Sequence, residues 1–208
     1  SGRYFGEPSF NYRGVDRTTA SLMFDHEFEN GLQLGVSARY TDSASDYGYI
    51  YLDDRASPGG PDIDRALFAN DSSGEDLVLN ANLQYDATFG TVKSRTLVGV
   101  EYSDSTDFST SWWSPVNPYN EATFTYGAGT YSLDGLAPYR AQRTDQSTKS
   151  LYLQEELTFD DRLIANLGLR YDKGKTTQTN MQTGAVSRGE YSETTVRAGL
   201  VYKITPDL

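Results

Sequence analysis

The sequence predicts an all-β protein, an antiparallel transmembrane β-barrel segment. Three observations carry that reading. Apolar residues recur with a period of two, short and long connections alternate, and each strand ends in an aromatic ring on its apolar side. The 208 residues hold 18 Lys and Arg against 29 Asp and Glu, with one His and no Cys, for a formal net charge of −11. That length suits one or two ordinary domains. A mean hydropathy of −0.59 would suit a soluble protein. Strict alternation lowers the average in the same way, because every second residue is polar. No run approaches the eighteen or so apolar residues of a membrane-spanning helix. Without Cys there are no disulfides and no thiolate metal sites. The acidic balance argues against a nucleic-acid partner, which needs a clustered positive face.

Taken in order, the strands share one parity. Ala20 to Phe28 is a weaker copy that runs into Asn30-Gly31, where both residues tolerate the positive φ of a type I′ turn at 30–31. Leu32, Leu34, Val36, Ala38 and Tyr40 then alternate with Gln33, Gly35, Ser37 and Arg39. A long connection over about 52–73 carries Pro58-Gly59-Gly60-Pro61. Leu77 to Tyr85 alternates next, followed by a short turn near 86–91 and the weaker strand Thr96 to Tyr102. The longest connection, 103–145, precedes Leu151 to Phe159 and a short turn at 160–161. Leu163 to Tyr171 leads into a third long connection over 173–190. Val196 to Tyr202 is the seventh strand, with a further turn expected at 205–207.

Short turns on one side and long loops on the other are the asymmetry of bacterial outer-membrane barrels. The rings fit as well. Phe28, Tyr85, Phe159 and Tyr202 end the strands that run toward short turns, and Tyr40, Tyr102 and Tyr171 end those that run toward long loops. Such rings form belts at both membrane interfaces. A soluble sandwich or lipocalin-like barrel predicts neither the pair of belts nor the loop asymmetry. Seven strands leave edges unpaired in lipid, and residues 1–15, with Gly6, Pro8 and Gly14, make a poor eighth strand. The expectation is a section of a larger barrel, with residues 1–208 part of one barrel domain.

Several segments resemble TonB-dependent ferric siderophore receptors. They are Phe5-Gly6-Glu7-Pro8-Ser9-Phe10-Asn11-Tyr12 with Asp16-Arg17, and the hairpin Phe24-Asp25-His26-Glu27-Phe28-Glu29-Asn30. Further matches are Leu97 to Tyr102, Leu151 to Glu155, Gly168 to Asp172 and Arg197 to Tyr202, in the family's order. The hydroxamate receptors, those for ferrichrome and ferrioxamine, are the nearest branch. The resemblance implies a 22-stranded barrel with an N-terminal plug, of which this chain is a central third. It also implies the outer membrane of a Gram-negative bacterium, a ferric siderophore as transported ligand, and coupling to the TonB complex through the plug. Gly35, Gly99, Gly168 and Gly199 on the inner parity, with Asn80, Asn82, Gln154 and Arg170 as hydrogen-bonding partners, make a wall that suits a closely packed plug. A passive porin-like channel would show a similar wall.

Tyr47, Tyr49 and Tyr51 keep the period of two beyond Tyr40, and Trp112-Trp113 falls in the longest loop. In the hydroxamate receptors a Tyr-Gly-Tyr and an aromatic pair contact the siderophore, and the matching positions are Tyr47, Tyr49, Trp112 and Trp113. A coordinated ferric complex needs no metal ligands from the protein and no cofactor. It needs aromatic faces and phenol or indole donors. The stretches 52–73 and 103–145 each carry five acidic residues against two Arg, a net −3, which disfavours a triply anionic catecholate complex. Lys173, Lys175 and Arg188 make the third loop mildly basic. The acidic loops alternatively serve divalent cations that bridge lipopolysaccharide, a partner expected together with membrane lipid. An enzyme is not expected: His26 stands alone beside a turn, with no spacing for a triad or a metal site. The other reading left open is a soluble β-sheet binding module.

Overall fold

The computed structural model describes residues 5–53, 62–120, 122–127 and 129–205. Seven strands pair in chain order into one antiparallel sheet. They are β1 (Tyr12–Glu27), β2 (Leu32–Leu52), β3 (Asp62–Phe89), β4 (Val92–Asn120), β5 (Arg140–Phe159), β6 (Leu163–Asn180) and β7 (Val186–Tyr202). A single 3₁₀ turn, Pro8–Phe10, precedes β1.

Residues opposite one another in register share a face, so parity can be followed across the whole sheet. One row reads His26, Leu34, Leu83, Val98, Leu153, Leu169, Val196. The neighbouring row on the other face reads Asp25, Gly35, Asn82, Gly99, Tyr152, Arg170, Thr195. The sheet is therefore apolar outward and polar inward, as the alternation predicts. His26 is a member of the outward row, with its ring 4.5 Å from that of Phe28.

The register also gives the strand tilt. Tyr40 opposes Leu77, which opposes Asp104, two residues beyond Tyr102. Tyr102 opposes Lys149, which opposes Lys173, two residues beyond Tyr171. The upper belt thus steps by about one residue per strand. With a rise of about 3.3 Å per residue and about 4.8 Å between strands, the strands lean by about 35°, as barrel closure requires. The lower belt is broader. Phe28 and Tyr85 both flank Leu32, whereas Phe159 and Tyr202 flank Leu163, four residues below the level of Tyr85.

The turn chemistry differs from expectation. At Asn30-Gly31 only Gly31 has positive φ, +79°, and its amide donates to the Phe28 carbonyl at 2.9 Å. This is a turn over Glu29-Asn30 closed by a left-handed glycine, with the Asn30 side chain accepting from the Leu32 amide at 3.1 Å. The two-residue turn with both φ positive lies instead at Asp160-Asp161, at +49° and +58°. The Lys93 ammonium, 2.5 Å from Asp161, holds that carboxyl below the usual carboxylate range.

The long connections are shorter than 52–73, 103–145 and 173–190. Strand pairing continues through both ends of the second and third and through the far end of the first, leaving 53–61, 121–139 and 181–185 between strands. Ladder hydrogen bonds need no apolar side chains, so above the membrane the strands go on with Ser, Thr, Asp and Gly and the hydrophobic pattern vanishes. For the same reason β1 starts at Tyr12 and the turn expected at 86–91 is only Gly90-Thr91. Pro58 to Pro61 lies outside the described residues, as does the turn expected at 205–207 beyond Thr205.

Two outcomes follow from this topology, both in the full-length protein. On intact cells an impermeant thiol reagent should label Gln182→Cys and not Glu29→Cys, and the reverse pattern would invert the orientation. Val98→Arg, midway between the belts on the outward row, should lower unfolding stability in urea by roughly 2–4 kcal/mol. Inward Ser37→Arg should cost clearly less, and equal costs would contradict the assignment of faces.

Candidate functional site

The ladder of β2 with β1 and β3 has no register shift, so parity at Tyr40 can be carried upward without a break. Tyr40 faces outward. Tyr47, Tyr49 and Tyr51, at odd separations from it, face inward. Tyr49 opposes Phe68, and Phe68 opposes Trp113. The structure thus gathers an inward-facing aromatic cluster at the end of the sheet that carries the long connections. Ring centroids of Tyr47 and Tyr49 are 6.2 Å apart and stacked, and Phe68 lies 5.9 Å from Tyr47 and 5.6 Å from Tyr49. Tyr51 lies 5.7 Å from Tyr49 and accepts a hydrogen bond from Trp113 Nε1 at 3.0 Å. Tyr139 reaches the cluster from the connection 121–139, its ring 6.4 Å from Phe68. Tyr51, Asp53, Phe68, Trp113 and Tyr139 line one concavity. Burial, and then the neighbouring phenols of Tyr47, Tyr51 and Tyr139, hold the Tyr49 hydroxyl above the ordinary phenol range. It stays protonated at neutral pH and available as a donor.

Trp112 is elsewhere. Successive strand residues point to opposite faces, and Trp112 opposes Ala69 on the outward side. It packs there against the cluster of Phe10, Ile50, Leu67 and Ala69, together with Val116, Tyr131, Leu133 and Leu136. The expected Trp112-Trp113 contact pair is therefore divided between two faces. Phe68, Tyr51 and Tyr139 complete the inward cluster. Phe68 falls in a stretch read as loop, and only its place in the register brings it to Tyr49.

The outward patch is closed by a buried polar hub. Arg65, 1% exposed, donates from Nε to the Asn117 carbonyl at 3.0 Å, and from Nη2 to Asn117 Oδ1 at 2.9 Å and the Tyr131 hydroxyl at 3.1 Å. Its Nη1 reaches the Phe5 carbonyl at 3.2 Å and lies 3.8 Å from Glu7, itself 1% exposed. The Phe124 ring covers the guanidinium at 4.4 Å, and Glu7 Oε1 accepts from the Gly127 amide at 2.5 Å. One side chain thereby ties the segment before β1, the tops of β3 and β4, and the connection 121–139. Removing a partner of such a buried pair typically costs about 3–5 kcal/mol. A shift of register between Ile63 and Arg65 adjoins it.

Lower on the inward wall, Asn80 donates to the Tyr152 hydroxyl at 3.0 Å, and Asn82 to Asn80 at 3.2 Å. Arg170 meets Glu101 at 2.8 Å, Asp172 at 2.9 Å and Ser150 at 2.7 Å, and Arg197 reaches Gln154 at 3.2 Å. The room expected beside Gly99 is already filled. Tyr152, directly opposite, lies over it; Tyr191 over Gly174 repeats the device on the same face, and Tyr12 over Gly48 repeats it on the outward face. A ring laid across an opposing glycine restores the packing that the glycine lacks. Gly199 has nothing within reach of a methyl group and stays open.

An apolar outward face between two aromatic belts, a polar inward wall and tilted strands define a section of an outer-membrane β-barrel. The chain belongs to the family of TonB dependent receptor-like β-barrels, which it matches over residues 1–208. It lies in the outer membrane of a Gram-negative bacterium. It is 29% identical to the ferrioxamine receptor of Yersinia enterocolitica, a match that covers 97% of this chain and 29% of that protein. It is 22% identical to the ferrioxamine B receptor of Salmonella typhimurium, over 95% of this chain and 28% of that one. Among solved structures, the siderophore receptor PiuA from Acinetobacter baumannii superposes with a TM-score of 0.80 at 18% identity, covering 98% of this chain and 32% of that one. The ferric-catecholate import receptor Fiu of E. coli K12 does so with a TM-score of 0.78 at 17% identity, covering 98% and 35%. The chain spans less than a third of the length of the curated relatives named here.

The glycine–tyrosine pairing makes a quantitative expectation. Gly99→Ala places a methyl group where the Tyr152 ring lies, and should cost about 1–3 kcal/mol of unfolding stability in the full-length protein. The same substitution in a Tyr152→Ala background should cost far less. Additive costs would show that the ring does not cover the glycine.

Proposed function

We propose that this chain supplies part of the barrel of a TonB-dependent receptor that captures ferric siderophores, ferric hydroxamates in particular, at its extracellular mouth. The observation that carries the reading is the inward-facing cluster of Tyr47, Tyr49, Phe68 and Trp113, held by an uninterrupted ladder above the upper belt. The siderophore already satisfies the iron, so the receptor adds aromatic faces for the carbon skeleton and hydroxyl or indole donors for peripheral oxygens. The acidic character of 52–73 and 103–145 favours a neutral or cationic complex over a triply anionic one. Relatives named for ferrioxamine support the same ligand class. Release inward is driven through a plug engaged by the TonB complex, and no chemical change of the ligand is assigned. On the outward face, Lys149 lies between Tyr102 and Lys173, one same-face step above Tyr171, a pair of cations that suits lipopolysaccharide phosphates.

Substitution of Tyr47, Tyr49 or Trp113 by Ala should each weaken ligand binding by about 2 kcal/mol, some thirtyfold. Trp112→Ala, on the outward side, and Tyr85→Ala, in the lower belt, should leave affinity unchanged while lowering the amount of folded receptor. Binding of a radioiron-loaded hydroxamate to cells bearing the full-length receptor, normalised to receptor abundance, measures this. Parental affinity in all three inward variants would remove the site assignment.

A further inference from the structure

We propose that the inward wall beneath the aromatic cluster is a polar second half of the ligand mouth, and that it favours ferric hydroxamates whose chain ends in an anionic group such as a carboxylate. This rests on the siderophore reading above and narrows it.

Three successive inward rows build the surface. They read Arg13, Tyr47, Asn70, Ser111; then Val15, Ser45, Ser72, Ser109; then Arg17, Ser43, Gly74, Asp107. A concavity of about 900 Å³ lies over them, lined by Arg13, Arg17, Ser45, Ser72 and Ser109 and bounded above by Tyr47 and Tyr49. That volume is in the range of small-molecule sites, and the two tyrosines join it to the aromatic cluster.

The hydrogen bonds commit part of this surface, Ser43 Oγ donating to the Gly74 carbonyl at 3.4 Å, and leave part of it open. Asn70 Nδ2 donates to Ser109 Oγ at 3.0 Å and to Ser111 Oγ at 2.8 Å. Both hydroxyls are thus used as acceptors; Ser111 is buried, while Ser109 lines the concavity and keeps its own proton for a ligand oxygen. Ser45 and Ser72 share one hydrogen bond at 2.9 Å, and Ser72 Oγ also reaches the Ser45 carbonyl at 3.5 Å, so this pair is satisfied within the wall. At the β1 end stand two guanidinium groups, and among the described residues neither Arg13 nor Arg17 has a carboxylate partner. Of the two carboxylates that line the concavity, Asp107 lies at the opposite end of its row, over Gly74, and Asp46 lies beside Gly14 on the outward parity. A hydroxyl-lined wall with two cations at one side, neither ion-paired among the described residues, accepts carbonyl and carboxylate oxygens and repels an ammonium group placed there. The acidic stretches above favour the neutral or cationic core of the complex, so the two halves of the mouth sort different parts of one ligand.

The test uses the full-length receptor on cells and two radioiron-loaded linear trihydroxamates, identical except that one ends in an amine and the other carries a succinyl cap ending in a carboxylate. The parent should bind the capped complex about tenfold more tightly. Arg13→Gln with Arg17→Gln should abolish that preference by weakening the capped complex alone, and Arg13→Lys with Arg17→Lys should keep most of it. Parental binding of both complexes with no preference, or an equal fall for both in the glutamine variant, overturns the inference and leaves the siderophore reading standing. Failure of the parent to bind either complex overturns both.

Discussion

In hydrocarbon no water is available to satisfy a peptide group, so every amide and carbonyl of this chain that crosses the membrane must find its partner in a neighbouring strand. The antiparallel ladder is the constraint on which the rest of the structure depends. It fixes each residue to one face, because a slip of a single residue would turn every leucine inward and every asparagine toward lipid. It also carries that assignment beyond the membrane, where the side chains no longer reveal it. The faces at Tyr47 and Trp113 are set by the same parity as those at Leu34 and Val98.

Continuity of the ladder explains why the mouth is made of strand rather than loop. Tyr49, Phe68 and Trp113 come from three strands and meet because they are opposite in register. Their rings are placed by backbone pairing, and the hub around Arg65 braces two of those strands, β3 and β4, from the other side. Inward aromatic residues and outward packing are thus two consequences of adjacent positions on β3 and β4. Trp112 and Trp113 show this most directly, since neighbours in sequence serve the brace and the mouth respectively.

Much of this was legible in the sequence, for identifiable reasons. The transmembrane stretches announce themselves because lipid demands apolar side chains at every second position, as in Leu163 to Tyr171. Above the belts that demand ends, and strands such as 103–120 are written in Ser, Thr and Asp, which read as loop. The parity of Tyr47 was available by counting from Tyr40, but it has meaning only if no bulge intervenes, and the ladder alone supplies that fact. Arg65 and Glu7 left no signal, since a charged residue in a polar stretch is ordinarily solvated. Turn chemistry was half visible. Asn30-Gly31 marks a turn, while the two left-handed residues fall at Asp160-Asp161, where Asp is tolerated rather than preferred.

The hub also separates two stages in the life of the chain. Each strand pairs with its neighbour in sequence, so the sheet can grow hairpin by hairpin from its short turns, with little chain to close at each step. The contacts of Arg65 reach back 60 residues to Phe5 and forward 66 to Tyr131, and Glu7 meets Gly127 across 120. The complete hub cannot form until four strands and the connection 121–139 are in place. Zipping of the wall is thus a local process, and sealing of the rim that carries the long connections is a long-range one.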